Sequence, residues 1–96
     1  MNGARGEVSL EIEGVARRLC LTLGALAEIE TAFGCRTLAD LQARLRTLSA
    51  AELTTLLAAL LRGGGEVETA AKIAELNVDA GQAARAVAEA FRAALG

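Results

Sequence analysis

Apolar and polar residues alternate along the first part of the chain. From Val8 onward every second residue is apolar, and a similar alternation follows a break at Glu13-Gly14. A period of two residues is typical of strands that bury one face. The pattern predicts a β-hairpin over about 7–21, with a loop of either two residues or four. Both loops put Leu10 and Leu19 on the same face of the hairpin.

The rest of the chain has apolar residues at spacings of three and four, as amphipathic helices do. Residues whose side chains can cap a first turn precede these stretches, among them Thr22, Thr37, Ser49 and Asp79. The predicted helices span 23–33, 37–48, 50–62, 67–76 and 80–95. We therefore expect a single domain over 1–96 of the α+β class, mainly α, with the hairpin packed on four to five short helices.

Three consecutive glycines, Gly63-Gly64-Gly65, form the clearest break in the helical pattern. Glycine loses more backbone freedom than other residues when it becomes ordered, so such a run is typical of a flexible joint. No Lys-Ser or Lys-Thr follows, as a phosphate-binding loop would require. The run predicts a linker between two helices.

Two arginines lie in the second predicted strand, Arg17 and Arg18. They could contact phosphate, but on an edge strand such residues more often prevent sheet-to-sheet aggregation. The polar face of the hairpin also carries Glu7 and Glu11, which we expect to pair with Arg18 across the strands.

Composition excludes several functions. The 96 residues contain no His, Trp or Tyr, and the aromatic residues are Phe33 and Phe91. Without His there is no His-based nucleophile system and no His-ligated metal. The net charge is −2 and the basic residues form no stripe, so we expect no nucleic-acid binding. The carboxylates do not converge at a spacing suited to hydrolysis, so we expect no enzyme, no cofactor and no metal site.

Two features bear on the cellular location. Cys20 and Cys35 lack the C-x-x-C spacing, and two such thiols in a small domain are typical of reduced cysteines. The N-terminal residues contain no apolar signal segment, and no apolar stretch reaches the about 20 residues that cross a membrane. We expect a cytoplasmic protein without membrane contact.

The stretch from Ala4 to Glu30 reads A-R-G-E-V-S-L-E-I-E-G…R-R-L-C-L-T-L-G-A-L-A-E-I-E. It resembles the opening of a family of gene-transfer-agent and phage-like proteins from alphaproteobacteria, R-G-E-V…I-D-G…R-L-C-L-T-L-G-A-L-A-E-L-E. This sequence departs from the family's Asp-Gly turn by having Glu13-Gly14. That family is named for the tail tube protein of gene transfer agents and is also grouped with phage tail assembly chaperones.

The resemblance implies a non-enzymatic tail assembly chaperone of a prophage or gene transfer agent, which binds the tape measure protein during tail assembly. The alternative is a structural tail component retained in the finished particle. Other tail proteins are further candidate partners, and copies of the chain could pair through the hairpin edge. The candidate partner-binding residues are apolar: Val8, Leu10, Leu57, Leu61, Phe91 and Leu95.

Overall fold

The computed structural model describes residues 6–96, so the first five residues of the predicted 1–96 domain lie outside the described residues. The elements in chain order are β1 (Glu7–Ile12), β2 (Val15–Cys20), α1 (Leu23–Phe33), α2 (Leu38–Arg44), α3 (Ala50–Gly63), α4 (Val67–Lys72) and α5 (Ala80–Leu95). One 3-10 turn, Ile73–Glu75, follows α4 directly. The expected α+β class with mainly helical content is confirmed.

Strands β1 and β2 form an antiparallel hairpin in which Val8 faces Leu19 and Ile12 faces Val15. The loop is the shorter of the two predicted, and both of its residues have positive φ, 53° at Glu13 and 84° at Gly14. Two consecutive left-handed residues define the turn whose twist matches that of the flanking strands. The predicted apolar face is confirmed, with Leu10 and Leu19 buried on the same side.

Side-chain caps fix the helix starts that the sequence predicts. The hydroxyl of Ser49 accepts from the backbone N–H of Glu52 at 3.1 Å, and the Glu52 carboxylate accepts from the backbone N–H of Ser49 at 2.9 Å. This reciprocal pair satisfies two donors that a helix start leaves open. Single caps of the same kind begin α1, α2 and α5 at Thr22, Thr37 and Asp79.

Two helices are shorter than predicted. Helix α2 ends at Arg44 rather than at residue 48, and Arg46 and Thr47 donate to carbonyls three residues back. The chain tightens in this way because Ser49 must be extended (φ −83°, ψ 166°) to cap α3. The predicted helix 67–76 likewise ends as α4 at Lys72 and continues as the 3-10 turn.

Helix α3 is the centre of the fold. Its residues Leu56, Leu60 and Leu61 have no exposed surface, and the hairpin, α1, α4 and α5 all pack against this helix. The wide leucine stripe of α3 is thus explained by contacts on several sides within the domain.

The glycine run connects α3 to α4 as predicted, but as a turn packed against β2 rather than as the flexible joint expected from its composition. Gly63 is the last residue of α3, and a Cβ atom there would lie 2.1 Å from the carbonyl oxygen of Cys20. A Cβ on Gly64 would lie 2.3 Å from the carbonyl oxygen of Arg18. Real Cβ atoms essentially never come that close, so the two glycines allow the end of α3 to contact the backbone of β2.

Candidate partner-binding surface

The structure places most of the predicted partner-binding residues inside the domain. Leu10, Leu57, Leu61 and Phe91 are 4%, 3%, 0% and 8% exposed, because their elements pack against one another. Val8 is half-buried, and Leu95 is 43% exposed. Their role in binding stays a prediction, and Val8 and Leu95 are the members of the set that a partner can reach without opening the core.

The start of β1 and the end of α5 lie together. An ideal Cβ on Gly6 would lie 3.7 Å from Cα of Ala94, which is ordinary van der Waals contact. Val8 and Leu95 belong to these two segments, and we call the surface that carries them the β1–α5 end. The other large apolar side chains exposed in residues 6–96 lie on other elements: Val15, Leu23, Leu38 and Val67.

The outer edge of β2 is closed by the segment that follows α3. In this register Ala16, Arg18 and Cys20 direct their backbone N–H and C=O groups away from β1. The N–H of Arg18 donates to a carboxylate oxygen of Glu66 at 3.1 Å, while the glycine run covers the carbonyls of Arg18 and Cys20. The β2 edge therefore offers little to another strand.

Glu66 also forms ion pairs with the two arginines of the hairpin. Its second carboxylate oxygen accepts from Nη1 of Arg17 at 3.3 Å, and Nε of Arg18 lies 3.8 Å from the first. The expected pairing of Arg18 with Glu7 and Glu11 is wrong, because the buried end of α3 brings Glu66 to the side of β2 on which Arg18 lies. Within residues 6–96, neither Glu7 nor Glu11 has an ion-pair partner.

The outer edge of β1 is open. Ser9 lies opposite Arg18, so it and Glu11 direct their backbone N–H and C=O groups outward. Both residues are exposed, and their outward N–H groups have no hydrogen-bond partner in the described part of the chain. We call this row of groups, from Glu7 to Glu11, the β1 edge.

Arg44 joins α2 to two neighbouring helices. Its guanidinium lies 5.1 Å from the ring centroid of Phe33, donates to the Phe33 carbonyl at 3.1 Å and pairs with Glu52. The hydrogen bond from the backbone of Ser49, together with Arg44, lowers the pKa of Glu52 below its ordinary value. Arg44 thereby connects the end of α1 to the capping box of α3.

A cavity of about 330 Å³ beside Glu66 is lined by both charge signs, with Arg17 and Lys72 near Glu66 and Glu68. No group of three or more Cys, Asp or Glu within residues 6–96 could hold a metal ion. No helix in that range is long and apolar enough to cross a membrane.

Neither cysteine is in a disulfide. Burial, and to a smaller extent the charge of Glu7, raises the pKa of the Cys20 thiol. Cys35 is half-buried at the end of α1. The absence of a disulfide agrees with the spacing of the two cysteines, and their reduced state in the cell stays a prediction.

Comparisons with known proteins give one match. A protein-family model described as "Phage tail tube protein, GTA-gp10" matches residues 5–96. No curated protein and no solved structure matches the chain. The family match spans the hairpin and all five helices.

Proposed function

The chain belongs to the phage tail family described as "Phage tail tube protein, GTA-gp10", and on that basis we propose that it is a non-enzymatic tail assembly chaperone. It binds the tape measure protein in the cytoplasm of a cell that carries a prophage or gene transfer agent. Contacts with other tail proteins belong to the same role.

One observation carries the choice of a chaperone over a tube-forming subunit. Between residues 6 and 96 the sheet has two strands, and helices form most of the remainder. A tube subunit needs a large β-sandwich that closes into a ring with its neighbours. A short hairpin on a helical core suits a small protein that binds others transiently.

The β1–α5 end supplies an apolar surface for a helical client. Helix α5 buries three alanines and Phe91 on one face, and Leu95 extends that face into solvent in the last turn. An amphipathic helix of the client can place its apolar stripe against Leu95 and Val8. Transient binding needs a modest apolar contact of this kind rather than a deep pocket.

Co-expression with the tape measure protein of the same prophage or gene transfer agent tests the proposal. We expect the chain to keep that protein soluble and to co-purify with it, and Leu95→Glu to reduce co-purification. Leu38→Glu is the matched control, because Leu38 on α2 is 42% exposed and Leu95 is 43% exposed. Failure of the wild-type chain to bind or solubilise the tape measure protein would refute the chaperone role.

The alternative is a structural component retained in the tail. The family description itself names a tail tube protein, and this favours a place in the particle. Mass spectrometry of purified particles separates the two functions. A chaperone is absent or far below one copy per tail ring, whereas a structural component is present in stoichiometric amounts.

A further inference from the structure

The two edges of the hairpin differ. On β2 the outward N–H of Arg18 and the outward carbonyls of Arg18 and Cys20 are covered by Glu66 and the glycine run, while the outward N–H groups of Ser9 and Glu11 on β1 have no partner in residues 6–96. An exposed row of N–H and C=O groups is the template on which an additional strand forms. Among the described residues, the uncovered row of groups therefore lies on β1, whereas the part of the β2 edge formed by Arg18 and Cys20 is covered.

The charge on the β1 edge restricts what can pair there. Half-buried Glu7 and exposed Glu11 lie on the same face of β1 and have no cation paired with them within residues 6–96, since Arg18 is held by Glu66. Opposite charges on neighbouring strands stabilise a sheet, and like charges directly opposite destabilise it. A strand with Lys or Arg at alternate positions supplies the missing cations.

A second copy of the chain is a poor occupant. Antiparallel pairing over the β1 edge, from Glu7 to Glu11, is centred on Ser9 and puts Glu7 of each copy opposite Glu11 of the other. Two carboxylate pairs would then face each other in one short sheet. The same charges that attract a basic strand thus oppose pairing between copies.

The other face of β1 sets the remaining positions of the partner. Val8 is half-buried and Leu10 is buried, and both lie on the side that packs against α5. Alternate residues of an added strand point to that side, where apolar side chains extend the existing contact. From these observations we infer that the β1 edge binds an extended segment of a partner protein in which basic and apolar residues alternate.

This inference goes beyond the proposed function, which concerns an apolar helix at the β1–α5 end. The probe for its test is a synthetic peptide as long as β1, six residues, with lysine and valine alternating. Binding is measured by titration calorimetry or fluorescence anisotropy at low and high salt. We expect saturable binding that weakens with salt, because exposed charges are screened.

Backbone and charge variants show whether the peptide uses the edge. Ser9→Pro removes the outward N–H, which an edge strand tolerates, and should weaken binding about tenfold or more. Ala16→Pro is the matched control on β2, where the same change removes an outward N–H that a peptide on the β1 edge does not use, and it should bind as the wild type does. The double variant Glu7→Gln/Glu11→Gln should reduce both affinity and salt dependence. Circular dichroism melting identifies any variant that fails to fold.

Two altered peptides keep the test independent of protein folding. A peptide N-methylated at the amides that would face β1 should lose binding, and one with glutamate in place of lysine should not bind. Equal binding of the N-methylated and unmodified peptides would overturn the inference. The inference would also be overturned if the wild-type chain sedimented as a dimer and Ser9→Pro dissociated that dimer, since a second copy of the chain would then occupy the β1 edge.

Discussion

Gly63 and Cys20 approach so closely that a Cβ atom on Gly63 would lie 2.1 Å from the carbonyl oxygen of Cys20. The end of α3 therefore docks directly on the backbone of β2. The same contact fixes the position of Glu66, which follows the glycine run and accepts from Arg17 and from the backbone N–H of Arg18.

We expect Gly63→Ala to destabilise the fold by about 1–3 kcal/mol, the usual cost of overpacking a close contact. Gly24→Ala is the control: it is helical, its φ is not positive, and the nearest atom to its Cβ would be 3.9 Å away. That change should be neutral or stabilise by about 0.4–1 kcal/mol. Urea denaturation followed by circular dichroism measures both, and equal effects would contradict the close approach.

Removing Glu66 should open the β2 edge. In Glu66→Ala the N–H of Arg18 loses its acceptor and the guanidinium of Arg17 loses its carboxylate. We expect faster hydrogen exchange at the Arg18 amide, read by NMR. Glu68→Ala, an exposed neighbour on α4, should leave that amide unchanged. Unaltered exchange at Arg18 in Glu66→Ala would show that Glu66 does not protect the β2 edge.

The capping box of α3 should make stability depend on pH in acid. The pKa of Glu52 is lowered in the folded state, so its carboxylate stabilises the fold above the ordinary glutamate value of 4.5 and ceases to do so as pH falls through the depressed value. Glu52→Gln keeps an acceptor for Ser49 but loses the charge. We expect it to be less stable than the wild type at neutral pH, with the difference vanishing in acid. A pH-independent difference in urea denaturation would contradict this.

Arg44 should control the attachment of α2. Arg44→Lys keeps the charge but lacks the planar fork that reaches Phe33 and Glu52 together. We expect faster hydrogen exchange throughout α2, with α5 unchanged. Arg46→Lys, an exposed change just after α2, serves as the control. If both variants exchange alike, Arg44 does not hold α2.

The two thiols should react at different rates. Cys20 is 9% exposed and its thiol pKa is raised by burial, whereas Cys35 is half-buried. A thiol reagent at mildly alkaline pH should therefore modify Cys35 first, because the thiolate is the nucleophile. Mass spectrometry of the modified peptides measures the order. Cys35→Ser should leave only the slow phase.

The elements whose signals lie in residues close together in the sequence could be predicted from the sequence alone. The alternation around Leu10 gives the hairpin, and Ser49 with Glu52 gives the start of α3, because both signals are local. The apolar face of the hairpin was predictable even though the loop length was not, since both loop lengths place Leu10 and Leu19 on the same face. Helix α2 was predicted too long because the tight turn after Arg44 leaves no mark in the apolar spacing.

The contacts that close the β2 edge could not be predicted in this way. The glycine run has the composition of a linker, and its close approach to Cys20 exists only when α3 lies against β2. The carboxylates of Glu7 and Glu11 are nearer to Arg18 in sequence, yet Arg18 pairs with Glu66. Tertiary packing decides which carboxylate lies beside the guanidinium. Leu57 and Leu61 were candidate contacts because an apolar helix face looks the same whether a partner or the domain itself covers it.

The bond between Arg18 and Glu66 joins residues 48 positions apart. A ribosome adding about 5–20 residues per second needs about 2–10 s to make the intervening chain. During that interval the N–H of Arg18 has no Glu66 to bind, and this contact becomes possible only when residue 66 has been synthesised and has left the exit tunnel. The order of synthesis thus makes closure of the β2 edge a later event than synthesis of the strand itself.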